Sequence, residues 1–227
     1  MIRFLLFDLD DTILDFGLSE RASLTRTLTD IGVSFTEKQI ERYHEINAEE
    51  WKRLERGKCT REEVKLGRFV RFCKEFGIKT DPAILRTTYE ENLAKGHFFV
   101  EGAQELLERL VPDYRLFLVS NGTTAVQRGR LASAGIEHYF EGIFLSEEIG
   151  FVKPQKEFFD YCFARIPGFS KDEALLVGDS LSSDILGGKN AGIKTCWFSP
   201  KGQDPGRIKP DYTIQKLSEL PMLLKGC

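Results

Sequence analysis

Several short stretches of the chain carry residue types that could do chemistry together. The first is Asp8-Leu9-Asp10-Asp11-Thr12, which closes the apolar run Ile2-Arg3-Phe4-Leu5-Leu6-Phe7. At strand spacing, residues two apart leave the backbone on the same side, so Asp8 and Asp10 share one small volume and repel unless a cation or a proton offsets them. Mg²⁺ suits such a place: it takes hard oxygen ligands, usually one or two carboxylates, and leaves positions for water and a substrate phosphate. The plainer reading is an acidic turn in which Asp8 or Asp11 caps the next helix. The other stretches are Ser120-Asn121-Gly122, Lys153-Pro154, and Gly178-Asp179-Ser180 with Asp184 beyond it. Ser120 and the backbone N–H groups after it could hold phosphate oxygens, or could form an ordinary turn. Lys153 could balance the charge of carboxylates and a phosphate, or sit solvated in a loop. Asp179 could complete a metal site supported by Asp184, or both could cap a helix.

These residues need a frame that brings them together. The opening run reads as a buried parallel strand, apolar on both faces, with chemistry at its C-terminal tip. Residues 14–17 read as a hinge, and a helical stretch follows to about Lys95. Its first helix ends at Gly32. Capping boxes at Thr36/Gln39 and Thr60/Glu63 open helices that stop at Gly57 and Gly77, and Asp81-Pro82 caps the next one. Past Gly96, helices alternate with apolar strands at 115–120, 142–146, 174–179 and 194–199, and a short strand DYTI and helix SELPMLL close the chain. Such alternation means βαβ units and a parallel sheet covered on both faces. The predicted fold is α/β: a Rossmann-like, doubly wound parallel sheet formed by residues 1–14 and 97–227, with an all-helical domain, 15–96, inserted after the first strand. In a parallel sheet every strand tip lies along one edge, so residues far apart in sequence converge there. Independent accidents at every tip are much less probable than one site.

Composition narrows the partners. The 227 residues are 41% hydrophobic and 30% charged, with 32 basic against 35 acidic residues and a formal net charge of -3. That is ordinary for a soluble globular protein, and the absence of a basic stripe argues against nucleic acid as a partner while leaving room for a small phosphorylated ligand. Apolar runs are too short to span a bilayer and the N-terminus is no targeting segment, so the expectation is a cytoplasmic protein, monomer or homodimer, with no membrane partner. Cys59, Cys73, Cys162, Cys196 and Cys227 are odd in number and form no C-x-x-C pair, which fits incidental thiols better than zinc or disulfides.

The motifs D-x-D-x-T, S-N, K-P and G-D-x-x-x-x-D, in this order and on these elements, resemble the haloacid dehalogenase-like hydrolase superfamily along the whole chain. The resemblance implies a core with strand order 3-2-1-4-5 and a helical cap. It makes Asp8 the nucleophile that forms an aspartyl-phosphate and Asp10 the general acid and then the general base. It gives Ser120, Asn121 and Lys153 to the phosphoryl group, and Mg²⁺ to Asp8, the backbone carbonyl of Asp10 and Asp179, with Asp184 in support. Members that dehalogenate haloacids lack an acid/base Asp two residues after the nucleophile, so Asp10 favours a phosphatase; a phosphomutase would share the core motifs.

The runs FDLDDTILDF, NAEEWKRLERGKCTREEV and GDSLSSDILGGKNAGIKTCW further resemble the YjjG-like and YfnB-like group of pyrimidine 5'-nucleotidases. That resemblance implies a nucleoside monophosphate as substrate. In the insert, Trp51 offers a stacking surface, and Lys58 and Arg61 offer charge to a polar substrate; core packing and solvated charges at a helix end are the plainer readings. Another small phosphorylated metabolite, such as a sugar phosphate or phosphoglycolate, is the alternative substrate, and a non-catalytic phosphate-binding module is the alternative from outside enzymes.

Overall fold

A computed structural model describes residues 1–226, which fall into two compact units. The sheet-bearing unit comprises Met1–Asp15, Phe98–Thr124 and the chain from Gly135 onward. Its strands are β1 (Phe4–Phe7), β2 (Arg115–Ser120), β3 (Gly142–Leu145), β4 (Ala174–Gly178), β5 (Lys194–Phe198) and β6 (Tyr212–Ile214). All pair in parallel, in the order β3-β2-β1-β4-β5-β6. The central strand is the opening run FLLF, buried at every position because it has a hydrogen-bonded strand on each side and apolar layers above and below. Phe4 and Leu6, Phe117 and Val119, and Ala174 and Leu176 face one core with Phe158 and Phe159, the two-residue period expected of strands. Burying each such large side chain contributes about 1.5–3 kcal/mol.

The sheet has one strand more than the order 3-2-1-4-5, because DYTI pairs along the edge of β5. Asp211 seats it: its carboxylate accepts from Thr195 N at 2.9 Å and from Thr195 Oγ1 at 2.7 Å, while Asp211 N donates back to Thr195 Oγ1. Two elements differ from the sequence expectation. Ser146 leaves β3 and opens a single helical turn that ends at Gly150, where φ is 85° and a side chain would be strained. The stretch after β4 is not one helix but a π turn, Leu181–Ile185, followed by a helix, Leu186–Ala191. The turn widens because Asp184 N and Ile185 N both donate to the Ser180 carbonyl while Ser180 Oγ accepts from Ser183 N.

The helical unit comprises Phe16–His97 and Ala125–Ala134. Its helices are α1 (Phe16–Asp30), α2 (Glu37–Glu55), α3 (Arg61–Phe76) and α4 (Pro82–Leu93), joined by α6 (Thr124–Ala134); α5 (Ala103–Leu110) belongs to the sheet unit. The start signals work as the sequence indicates. Thr60 Oγ1 accepts from Glu63 N while Glu63 reaches back to Thr60 N, and Asp81 accepts from Ala83 N. Tyr43, Phe69, Phe72 and Tyr89 form an aromatic core with Leu24, Leu28 and Leu85. The alternating pattern groups α6 with the sheet, yet it packs here. Gly129 lies so close to Ala94 that a Cβ would come within 2.7 Å, and the fully buried Arg130 donates to Gly96 O and Ser19 Oγ. Among the described residues no helix is long and apolar enough to cross a membrane.

Candidate active site

The residues singled out at the strand tips of the sheet unit converge. Asp8 is the first residue past β1, and its N–H donates to Val177 O, extending the ladder by one step. Beyond it the chain turns sharply: Ile13 N and Leu14 N both donate to Leu9 O, and Asp11 N donates to Leu14 O. Asp11 takes a left-handed φ of 56°, a conformation that aspartate tolerates better than most residues with a side chain. Leu14, read as part of a hinge, is held in bridges to Asp10 and Phe99.

Lys153 is the centre of the site. Its Nζ donates to Asp8 Oδ1 at 2.6 Å, to Asp184 Oδ1 at 2.7 Å and to Val119 O at 2.9 Å, with the ammonium sealed from solvent. Asn121 explains how the lysine is aimed. Its side-chain amide donates to Lys153 O at 2.9 Å and accepts from Lys153 N at 2.8 Å, a two-point grip on the lysine backbone, and also donates to Ser183 Oγ. The Asn121 side chain is thus spent on positioning, which leaves the backbone as its route to any phosphate. Ser120, the last residue of β2, is 1% exposed, and its Oγ accepts from Gly122 N.

Asp179 follows β4. Its carbonyl accepts from Trp197 Nε1 at 2.7 Å, and the next N–H, of Ser180, donates to Asp184 Oδ2 at 3.0 Å. Both oxygens of Asp184 therefore already accept hydrogen bonds, which suits a supporting residue. The π turn makes this possible by carrying Asp184 back over the strand end. Gly178 makes room, since a Cβ there would stand 2.4 Å from the Asp184 carboxylate.

The electrostatics are those of an unbalanced cluster. Burial pushes the Asp8 carboxyl well above the usual aspartate range, with the charges of Asp184 and Asp10 adding to the rise and Lys153 opposing it. Burial likewise raises Asp179, aided by Asp8, Asp184 and Asp11. Burial alone would lower Lys153; Asp184 and Asp8 outweigh it, so the lysine stays an ammonium. One oxygen from each of Asp8, Asp179 and Asp184 lies within 4.8 Å of the others. Hard oxygens this close, with a single ammonium among them, fit a divalent cation of the magnesium type. The half-buried Asp10 carboxylate is not part of this trio, although its charge reaches Asp8. A pocket of about 580 Å³ opens beside Asp11 and Asp179, lined also by Phe99, Trp197, Lys201 and Lys216.

Trp51, Lys58 and Arg61 belong to the helical unit. The Arg61 guanidinium lies over the Trp51 ring at 5.7 Å, so the two engage each other, and Lys58 is exposed in the turn between α2 and α3.

The model of the haloacid dehalogenase-like hydrolases matches residues 5–198. The chain belongs to the haloacid dehalogenase-like hydrolase family. Within it, the chain is 43% identical to the HAD-hydrolase YfnB of Bacillus subtilis, over 98% of this chain and 95% of that protein. It is 39% identical to the pyrimidine 5'-nucleotidase PynA of Streptococcus pneumoniae, covering 96% and 93%, and 32% identical to the pyrimidine 5'-nucleotidase YjjG of Escherichia coli, covering 96% of each. The fold matches a crystal structure of YfnB bound to magnesium, with a TM-score of 0.93, 42% identity and 98% of each chain covered; that crystal form reveals interdomain movement in YfnB.

Sequence reasoning missed the roles of Gly178 and Asn121, and Val119 and Trp197 altogether. Gly178 stood in the motif, but its role did not: it is required by the space Asp184 takes. The grip of Asn121 on Lys153, the Val119 carbonyl and the Trp197 indole left no signal in residue spacing, because each depends on where a strand neighbour lies.

Proposed function

We propose that the protein is a magnesium-dependent phosphomonoester hydrolase that works through an aspartyl-phosphate on Asp8 and acts on nucleoside monophosphates, pyrimidine ones among them. The observation that carries the reading is the buried Asp8–Lys153–Asp184 linkage beside Asp179. The substrate class rests on the two relatives named pyrimidine 5'-nucleotidase. In this reading residues 1–14 and 97–227 do the chemistry and the helical residues 15–96 act as a cap that selects the substrate. The enzyme works in the cytoplasm on free metabolites.

Phosphate monoesters hydrolyse so slowly in water that catalysis must come from in-line positioning and charge stabilisation. An Asp8 carboxylate oxygen attacks phosphorus and the bond to the nucleoside 5'-oxygen breaks, while Asp10 gives that oxygen a proton. Asp10 then takes a proton from the water that attacks the phosphorus, the bond to Asp8 breaks, and inorganic phosphate leaves. Two easier displacements replace one hard one. Lys153, Ser120 and the N–H groups after Ser120 hold the phosphoryl oxygens, with Asn121 keeping Lys153 aimed. Asp8, the Asp10 carbonyl and Asp179 would hold Mg²⁺, which supplies the positive charge that lets an anionic nucleophile meet an anionic ester. Trp51, Lys58 and Arg61 are candidates for contact with the nucleoside.

Phosphate release from a panel of nucleoside monophosphates and sugar phosphates, with Mg²⁺ and with Asp8→Asn as control, tests this. UMP, dUMP or dTMP leads the panel and the variant is silent. If sugar phosphates lead, the substrate class falls and the core chemistry stands; if Asp8→Asn turns over like the parent, the nucleophile assignment falls.

A further inference from the structure

β5 supplies no residue to the chemistry described so far, yet it reaches the site through one side chain. Trp197 pairs in register with Gly178, the last residue of β4, and is only 4% exposed. Its indole N–H donates to the Asp179 carbonyl at 2.7 Å. That carbonyl and the Ser180 N–H belong to one peptide group, and the N–H end is held from the other side by Asp184 Oδ2 at 3.0 Å. The peptide joining Asp179 to Ser180 is therefore gripped at both ends, by an indole and by a carboxylate.

We infer that Trp197 is a positioning residue for the metal site: by fixing the 179–180 peptide it sets the direction in which Asp179 presents its carboxylate. This rests on the reading that Asp179 holds the cation. The physical case is the general one for groups behind a ligand. A carboxylate held in one direction binds without first losing rotational freedom, and partners behind the ligands typically matter 10–100-fold in metal affinity. The grip also closes a chain from Trp197 through the peptide to Asp184, Lys153 and Asp8, so the aim of Asp179 is tied to that of Asp8. Without the indole N–H the peptide keeps the Asp184 bond at its N–H end and loses the one at its carbonyl end.

Magnesium titration followed by the thermal midpoint, with no substrate present, is the test. Trp197→Phe removes the donor and keeps an aromatic ring. Because a smaller ring leaves a void, a second protein replaces the tryptophan by benzothienylalanine, which keeps the shape and exchanges N–H for sulfur, in a Trp51→Phe background so that only position 197 changes. Both are expected to need about 10–100 times more Mg²⁺ for the same rise in midpoint, with Trp197→Phe compared with the parent and the benzothienyl protein compared with Trp51→Phe, each rise being measured from that protein's own metal-free midpoint. A benzothienyl protein with the Mg²⁺ curve of the Trp51→Phe protein overturns the inference. Asp179→Asn is the control that separates the two claims. It is expected to abolish the Mg²⁺ response, and if it does not, Asp179 is no ligand and the inference falls with that reading rather than by its own test.

Discussion

The two units bury charge in opposite ways. In the helical unit Glu20, Glu50 and Arg68 are buried in networks closed by neighbouring side chains. Glu20 accepts from Asn47 Nδ2 and meets His44 Nδ1, Asn47 accepts from Arg68, and Arg68 reaches Glu90. Glu50 is paired with both Arg53 and Arg71. In the sheet unit, Asp8, Asp179 and Asp184 crowd together at one edge, and the Lys153 ammonium meets Asp8 and Asp184. A network closed in this way is scaffold, since Glu20, Glu50 and Arg68 are each already engaged. An open one costs folding free energy until something positive arrives, and persists where a ligand is expected. The contrast teaches where to look for chemistry in a chain whose two units are about equally rich in buried polar groups.

Substitutions sharpen or break this contrast. Lys153→Met, which removes the ammonium bonded to Asp8 and Asp184, is expected to cost about 3–5 kcal/mol of stability without Mg²⁺, measured by urea unfolding, and to eliminate turnover. A loss no larger than that of a surface lysine would mean that the cluster is not charged as described. Gly178→Ala forces a methyl into the space of Asp184 and is expected to cost about 1–3 kcal/mol and to lower kcat far more than it raises KM. Unchanged kcat would show that Asp184 can move without consequence.

In the helical unit, Glu50→Gln is expected to cost about 1–2 kcal/mol, between a surface pair and a fully buried one, with kcat/KM unchanged. A drop in kcat/KM would make that network functional and erase the distinction. The smallest effect is expected from Asp211→Asn, about 1 kcal/mol for hydrogen bonds weakened at Thr195. Burial alone would raise the Asp211 pKa, but the Thr195 hydrogen bonds and the Lys189 charge outweigh it and hold it below the usual value. A folded pKa below the unfolded one adds stability that is full above the unfolded value and is lost as pH falls through the folded value. The gap between parent and variant is therefore expected to be complete at neutral pH and to close in acid, where a pH series of unfolding curves reads it.

Much of this was legible in the chain. FLLF before Asp8 announced a central parallel strand, and the Gly, Pro and capping-box signals placed the helices because these act locally. Asp8 and Asp179 were visible as strand-tip residues, Lys153 in a loop and Asp184 in the turn beyond, and the structure brings them together. What stayed hidden depends on neighbours distant in sequence. The packing of α6 with the helical unit follows from Gly129 against Ala94 and from Arg130 against Ser19, which no periodicity encodes. The π turn that returns Asp184 to the site follows from bonds to one carbonyl, that of Ser180, and reads in sequence as plain helix. Trp51 and Arg61 drew attention by type, yet they pair with each other, and type alone does not separate packing from recognition.

The central claim is that Asp8 carries the phosphoryl group. Enzyme turning over a nucleoside monophosphate with Mg²⁺ can be acid-quenched and treated with borohydride, which reduces an acyl phosphate to an alcohol, and the peptide that contains position 8 read by mass spectrometry. Homoserine is expected at position 8, dependent on substrate and absent from Asp8→Asn. Steady turnover with an unmodified Asp8, or reduction at another carboxylate, would contradict it.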